Sequence, residues 1–170
     1  MDIDQLTRML REQIIPEPHS FELQGDKLFN LTNGCAIQIN GPKDAQAEAV
    51  RLLAKYWGIT ANITVGDCVA TIPSEGYRVD VTAERLIVEA STIAGMRHAF
   101  RTLRMMAEPE RGTACISGTW NLPEVKVEDA PALSFRGVHL CMFPETRFND
   151  IAKKIRFAAY LKFNVVVIEF

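Results

Sequence analysis

The stretch Pro131 to Phe170 constrains the fold most, because two strand patterns flank one helix pattern within it. Ser134 to Cys141 alternates in the manner of a strand. Asn149 is placed to cap a helix in which Ile151, Ile155, Ala158 and Ala159 fall on one face. The run Val165 to Ile168 does not alternate, as expected of a parallel strand covered on both faces. Strand, helix, strand is one βα step of an α/β barrel or of a doubly wound sheet. One step cannot close a barrel, so the chain is expected to be the N-terminal piece of something larger.

The rest of the chain reads differently. Asp4 to Gln13 patterns as a short helix, and Ile14-Ile15-Pro16-Glu17-Pro18 imposes an extended segment. Phe21 to Leu23, Lys27 to Leu31 and Cys35 to Ile39 read as strands separated by the turn signals Gly25-Asp26 and Asn33-Gly34. Asp44 is expected to cap a helix with Ala49, Leu52, Leu53, Tyr56 and Trp57 on its apolar face, ended by Gly58. Further strands are expected over Ala61 to Val65, Val69 to Ile72 and Thr113 to Thr119. Tyr77, Val79 and Val81 alternate with polar residues, as do Leu86, Val88 and Ala90, which predicts a hairpin. Ser91 or Thr92 caps a helix whose stripe Ile93, Met96, Ala99, Phe100, Leu103 and Met106 faces a core. The fold class is therefore α+β, a mixed or antiparallel sheet with two helices packed on it. The domains are expected at 14–122 and 133–170, with a linker over 123–132 leading through Pro131.

Charge and composition narrow the function. Nineteen basic against 21 acidic residues, without a block of like charge, leave a net charge of -2 and no basic surface for nucleic acid or an anionic membrane. No apolar run approaches the ~20 residues of a membrane span, and Met1 to Gln5 lacks the features of a signal peptide. Cys35, Cys68, Cys115 and Cys141 are widely spaced and lie in apolar runs, so buried reduced thiols are expected, with no metal site and no cofactor. His19, His98 and His139 are scattered. His19 is expected at the surface, and His98 on a helix, either at the surface or with a satisfied partner. His139 falls on a strand within reach of a site, with a hydrogen-bonded core position the safer reading.

Arg136 and Glu169 are the candidate substrate-binding residues. A guanidinium opening a buried-looking strand needs acceptors, whether an ion-pair partner or adjacent sugar hydroxyls. Glu169 ends the next strand, and in a barrel the C-terminal strand ends face the active site. No catalytic constellation is visible in the residues themselves, neither a nucleophile elbow nor a phosphate loop.

From Ile14 onward the chain resembles glycoside hydrolase family 20, the β-N-acetylhexosaminidases. Ile14-Ile15-Pro16-Glu17-Pro18 resembles the family's opening, and Glu75-Gly-Tyr-Arg-Val-Asp-Val-Thr, Leu86-Ile-Val-Glu-Ala, Ala94-Gly95 and Arg101-Thr102-Leu103 follow its N-terminal domain in order. Asp129-Ala-Pro-Ala-Leu-Ser-Phe-Arg-Gly resembles the start of its (β/α)8 barrel, and Lys162-Phe-Asn164 the segment before the second strand. The resemblance implies an accessory domain followed by the truncated start of a barrel. It also implies a substrate-assisted retaining hydrolysis of terminal N-acetylhexosamine, in which an Asp-Glu pair beyond Phe170 orients the acetamide and protonates the leaving group. Met1 to Phe170 alone would then be inactive. The family pattern assigns Arg136 to sugar hydroxyls. Cys141 stands where the family has aspartate, Pro144 where it has a second arginine, and Glu169 where it often has histidine. The alternatives are the accessory domain of an α-glucuronidase-type or related glycosidase, and a non-catalytic packing or carbohydrate-associated module. If the barrel start is instead only a stabilising extension, the Val165 to Phe170 strand is an exposed apolar edge prone to association unless it pairs with a second copy.

Overall fold

The computed structural model describes residues 3–68, 71–107 and 120–170. The elements run α1 (Ile3–Glu12), β1 (Ser20–Leu31), β2 (Ala36–Asn40), α2 (Lys43–Trp57), β3 (Ile63–Gly66), β4 (Tyr77–Val81), β5 (Arg85–Ala90), α3 (Ile93–Ala107), β6 (Trp120–Asp129), β7 (Gly137–Cys141), α4 (Phe148–Tyr160) and β8 (Val165–Glu169). The chain forms two compact units, Met1–Ala130 and Pro131–Phe170.

The first unit is a six-stranded mixed sheet in the order β1-β6-β4-β5-β2-β3. Strands β1, β6, β4 and β5 are antiparallel neighbours, while β5, β2 and β3 are parallel. Alternation explains the core. Because side chains on a strand switch faces at every residue, the register lays Phe21, Val127, Val79, Val88 and Ile39 in one row across five strands. All five are buried. Helices α2 and α3 pack on each other and on the sheet, α3 against β4, β5 and β6 and α2 against β2. The predicted α3 stripe is the interior side: Met96, Ala99, Phe100 and Leu103 have 0% exposure. A mixed sheet carrying two helices was expected, and the described residues show it.

The helix ends follow local chemistry. Thr92 Oγ1 accepts the Gly95 N–H at 3.2 Å and so caps α3. Gly58, at φ 69°, ends α2 with its N–H on Ala54 O. Pro42 rather than Asp44 occupies the N-cap of α2; Asp44 lies in the first turn, where its charge suits the helix dipole. Gly95 and Gly76 explain two motif positions together. A Cβ at Gly95 would collide with the Gly76 carbonyl oxygen and crowd Ala90, so only glycine lets α3 come this close to the segments flanking β4 and β5.

Two expectations change. Strand β1 continues through Gly25-Asp26 as a bulge, with Gln24 to Lys27 facing Glu124 alone. The Glu124 carboxylate fixes that bulge, accepting the Lys27 N–H at 3.2 Å and the Ala83 N–H at 2.9 Å. The stretch expected as a linker, 123–132, is mostly strand: β6 is a central strand up to Asp129. Pro123 is tolerated there because it pairs at the edge of the bulge, where the ladder is already interrupted. The strand expected over Val69 to Ile72 lies partly, and that over Thr113 to Thr119 wholly, outside the described residues, as does Cys115.

In the second unit β7 and β8 form a parallel pair joined by α4, as the strand–helix–strand pattern predicted. Among the described residues the expected coverage of both faces of β8 is not seen. Val167 and Ile168 are exposed, and Ile151 and Ala158 of α4 are the buried apolar residues of the unit.

Candidate functional site

Parallel pairing puts the same end of β7 and β8 side by side, with Gly137 opposite Val165 and Cys141 opposite Glu169. The two predicted site residues therefore sit at opposite ends of this small sheet. Arg136 precedes β7, and Glu169 closes β8. Five residues of strand separate those ends by roughly 15 Å.

Arg136 is fastened at its own end. Its Nε donates to Lys162 O at 2.9 Å and its Nη1 to Leu133 O. Asn164 completes the stitch, accepting the Arg136 N–H on Oδ1 at 2.9 Å and donating Nδ2 to Ser134 O at 2.8 Å. Lys162, buried and at φ 65°, turns the chain out of α4 so that its carbonyl meets the guanidinium. Residues that the sequence marked as motif thus join the start of β7 to the turn before β8.

The C-terminal ends carry the reactive groups. Glu169 Oε2 lies 3.1 Å from His139 Nε2 and accepts from Cys141 Sγ at 3.6 Å. His139 and Cys141 are two apart on one strand and so share a face, and Glu169 is the direct partner of Cys141. Partial desolvation, then the hydrogen bond to Glu169 and its negative charge, push the Cys141 thiol above its ordinary value. His139 is exposed, in contrast to the core position expected for it, because β7 alternates Val138 and Leu140 inward and His139 and Cys141 outward. Cys141 is likewise exposed and Cys35 and Cys68 are half-buried, so none of these three thiols is a core residue as expected. Only the strand register reveals that Glu169 converges on His139 and Cys141, from which 28 to 30 residues separate it along the chain.

The first unit holds a separate cleft of about 300 Å³, with His19, Tyr77, Arg78 and Asp129 in its lining. Tyr77 Oη is 2.5 Å from Thr102 Oγ1 and donates to Asp129 Oδ2 at 3.0 Å, and Asp129 Oδ1 lies 3.2 Å from His19 Nδ1. Burial, reinforced by the Asp129 charge, raises the Tyr77 phenol well above its usual range, so it remains protonated and serves as a buried hydrogen-bonded pin. His98 is buried on α3, 2.7 Å from Arg101 Nη1 and 3.6 Å from Glu75 Oε1, the partnered rather than the surface one of its two expected placements.

Residues 11–130 match the family model described as glycosyl hydrolase family 20, domain 2, and the chain belongs to that family. Solved structures of similar fold include the Streptomyces plicatus N-acetyl-beta-hexosaminidase, with a TM-score of 0.71 and 22% identity over 94% of this chain and 34% of that one. The beta-N-acetylhexosaminidase of Bacteroides fragilis is 26% identical with a TM-score of 0.67, over 92% of this chain and 33% of its own. The GH20 exo beta-N-acetylglucosaminidase of Vibrio harveyi matches at 0.69 and 20% identity, over 93% of this chain and 25% of its own. The chain therefore spans a quarter to a third of the length of these proteins. Among the described residues no helix is long and apolar enough to cross a membrane.

Proposed function

We propose that this chain is the accessory domain and opening strand–helix–strand of a glycosidase that removes terminal N-acetylhexosamine from glycans by substrate-assisted, retaining hydrolysis. The family match over 11–130, followed directly by a parallel βαβ unit, is the observation that supports this reading. The unit is the first step of a (β/α)8 barrel, and the Asp-Glu pair that the chemistry requires is contributed by later strands. Glu169 then stands on the substrate side, at a strand C-terminal end. Arg136 stands on the opposite side, where it fastens the barrel's first two strands. Carbohydrate is the partner of the whole enzyme, and Met1 to Phe170 alone is inactive.

The test measures release of the aryl group from an aryl N-acetyl-β-glucosaminide. Purified Met1–Phe170 is expected to release none. The longer protein carrying the remaining strands is expected to turn over, and its Glu169→Ala variant to lose about tenfold in kcat/KM. Turnover by Met1–Phe170 itself, or a longer protein without an adjacent Asp-Glu pair at a strand end, would overturn the proposal.

A second reading rests on the apolar side chains that the second unit exposes, among them Phe135, Phe157 and Phe170. In Met1–Phe170 they would associate with a second copy, which light scattering would detect as a concentration-dependent rise in mass.

A further inference from the structure

We propose that His139, Cys141 and Glu169 form a binding site for a single zinc-like divalent metal ion. The inference rests on the geometry of β7 and β8 and holds whether or not the glycosidase reading does.

The three side chains supply one imidazole nitrogen, one sulfur and one carboxylate oxygen, all within 4.8 Å of one another. Zinc bonds of about 2.0–2.3 Å in tetrahedral geometry place donor atoms roughly 3.3–3.8 Å apart. Glu169 Oε2 is already 3.1 Å from His139 Nε2 and 3.6 Å from Cys141 Sγ. Small side-chain rotations therefore suffice to take up an ion, and the backbone need not move. The backbone itself enforces the grouping: a His-x-Cys pair on one strand face, with Glu169 in register opposite the cysteine.

The donor set selects the metal. A thiolate with an imidazole suits zinc and its late first-row neighbours, whereas calcium and magnesium demand oxygen cages. Three protein ligands leave a fourth position for water. On binding, the Cys141 S–H bond gives up its proton to solvent and the sulfur lone pair forms the metal bond, so uptake releases one proton from the thiol. Glu169 accepts that hydrogen bond in the metal-free chain and becomes a ligand once the proton has gone.

Cobalt(II) is the probe, because thiolate coordination gives it a ligand-to-metal charge-transfer band in the near ultraviolet. Titration of the reduced chain is expected to show one equivalent bound with that band, and zinc is expected to displace the cobalt. Cys141→Ser is expected to abolish the band, and His139→Gln and Glu169→Gln each to weaken binding at least about tenfold. The triple variant Cys35→Ser, Cys68→Ser, Cys115→Ser is expected to bind like the unaltered chain. Circular dichroism establishes that each variant keeps its fold, and all three ligand positions are exposed. A band that survives Cys141→Ser, a band lost in the triple variant, or no thiolate band in the unaltered chain would overturn the proposal.

Discussion

The two units of this chain solve the same problem to different degrees. In Met1–Ala130 the sheet buries whole rows of side chains, such as Val125, Val81, Leu86 and Ile37, each at 2% exposure or less. In Pro131–Phe170 a parallel pair and one helix bury Ile151 and Ala158 but leave Phe135, Phe143, Phe148, Phe157 and Phe170 exposed. A two-stranded sheet with one helix has too little surface to cover its own apolar residues. The first unit has a core of its own. The second is a parallel strand–helix–strand whose apolar side chains remain exposed, and the proposed (β/α)8 context would cover them.

The sharpest way to break that comparison is to truncate one phenylalanine in each unit. Phe100 is fully buried on α3 against Trp57, with ring centroids 6.0 Å apart. Phe100→Ala is expected to cost about 4 kcal/mol in urea unfolding of the first unit. Phe157→Ala, at a half-exposed position of α4, is expected to stay within about 0.5 kcal/mol. Equal losses at the two sites would show that the second unit has a core in solution that the comparison denies it.

A smaller loss is expected where α3 approaches the sheet. Gly95→Ala gains about 1 kcal/mol of helix propensity but sets a methyl group against the Gly76 carbonyl oxygen. Backbone cannot yield there as a flexible side chain would, so a net loss of about 2 kcal/mol is expected in the same urea experiment. An unchanged or stabilised variant would mean that α3 is not seated as closely as described.

These positions also show what the sequence could reveal. The β4–β5 hairpin and the α3 stripe were legible because alternation and helical periodicity are local properties of Tyr77 to Ala90 and Ile93 to Met106. Strand β6 was not legible as a single element. Pro123, Glu124, Lys126 and Glu128 read as linker, and the reason they do not break the strand lies about a hundred residues away, in the β1 bulge that the Glu124 carboxylate holds. The candidate site failed for the same reason. Cys141 and Glu169 are 28 residues apart, and only the β7–β8 register makes them neighbours. Arg136 was legible as a residue in need of acceptors. That the acceptors are the Leu133 and Lys162 carbonyls follows from the turn at Lys162, which no local pattern announces.

Acid sharpens the comparison further, because a strongly pH-linked contact belongs to the first unit. Glu48 on α2 is buried and accepts from Arg51 at 2.8 Å and from Arg97 on α3 at 2.8 Å. The Arg51 hydrogen bond, outweighing desolvation and aided by Arg97, lowers its carboxyl from 4.5 to about 2. The folded value is the depressed one, so this contribution is fully present above the unfolded value near 4.5. It is lost progressively as pH falls towards about 2. Because both arginines are about half exposed, water screens the pair, and Glu48→Gln is expected to cost about 2 kcal/mol at neutral pH. Chemical denaturation between pH 5 and about 2 is expected to show a shallower decline for the variant. Parallel curves would remove Glu48 as the link between the helices.

The smallest effect separates the two roles open to Arg136. If it fastens the second unit, Arg136→Lys leaves a charge but loses the planar fork that serves Leu133 O and Lys162 O together. A local loss of about 1 kcal/mol is then expected. It would appear as faster hydrogen exchange at the Asn164 and Val165 amides, both of which donate to Arg136 O. In the longer protein KM for an aryl N-acetyl-β-glucosaminide should then stay as it was. A sugar ligand would behave in the opposite way, with exchange unchanged and KM raised about tenfold, because the fork matches paired hydroxyls as well as carbonyls. That second outcome would move substrate recognition to the Arg136 end of the strand pair and leave the Glu169 end without its proposed role.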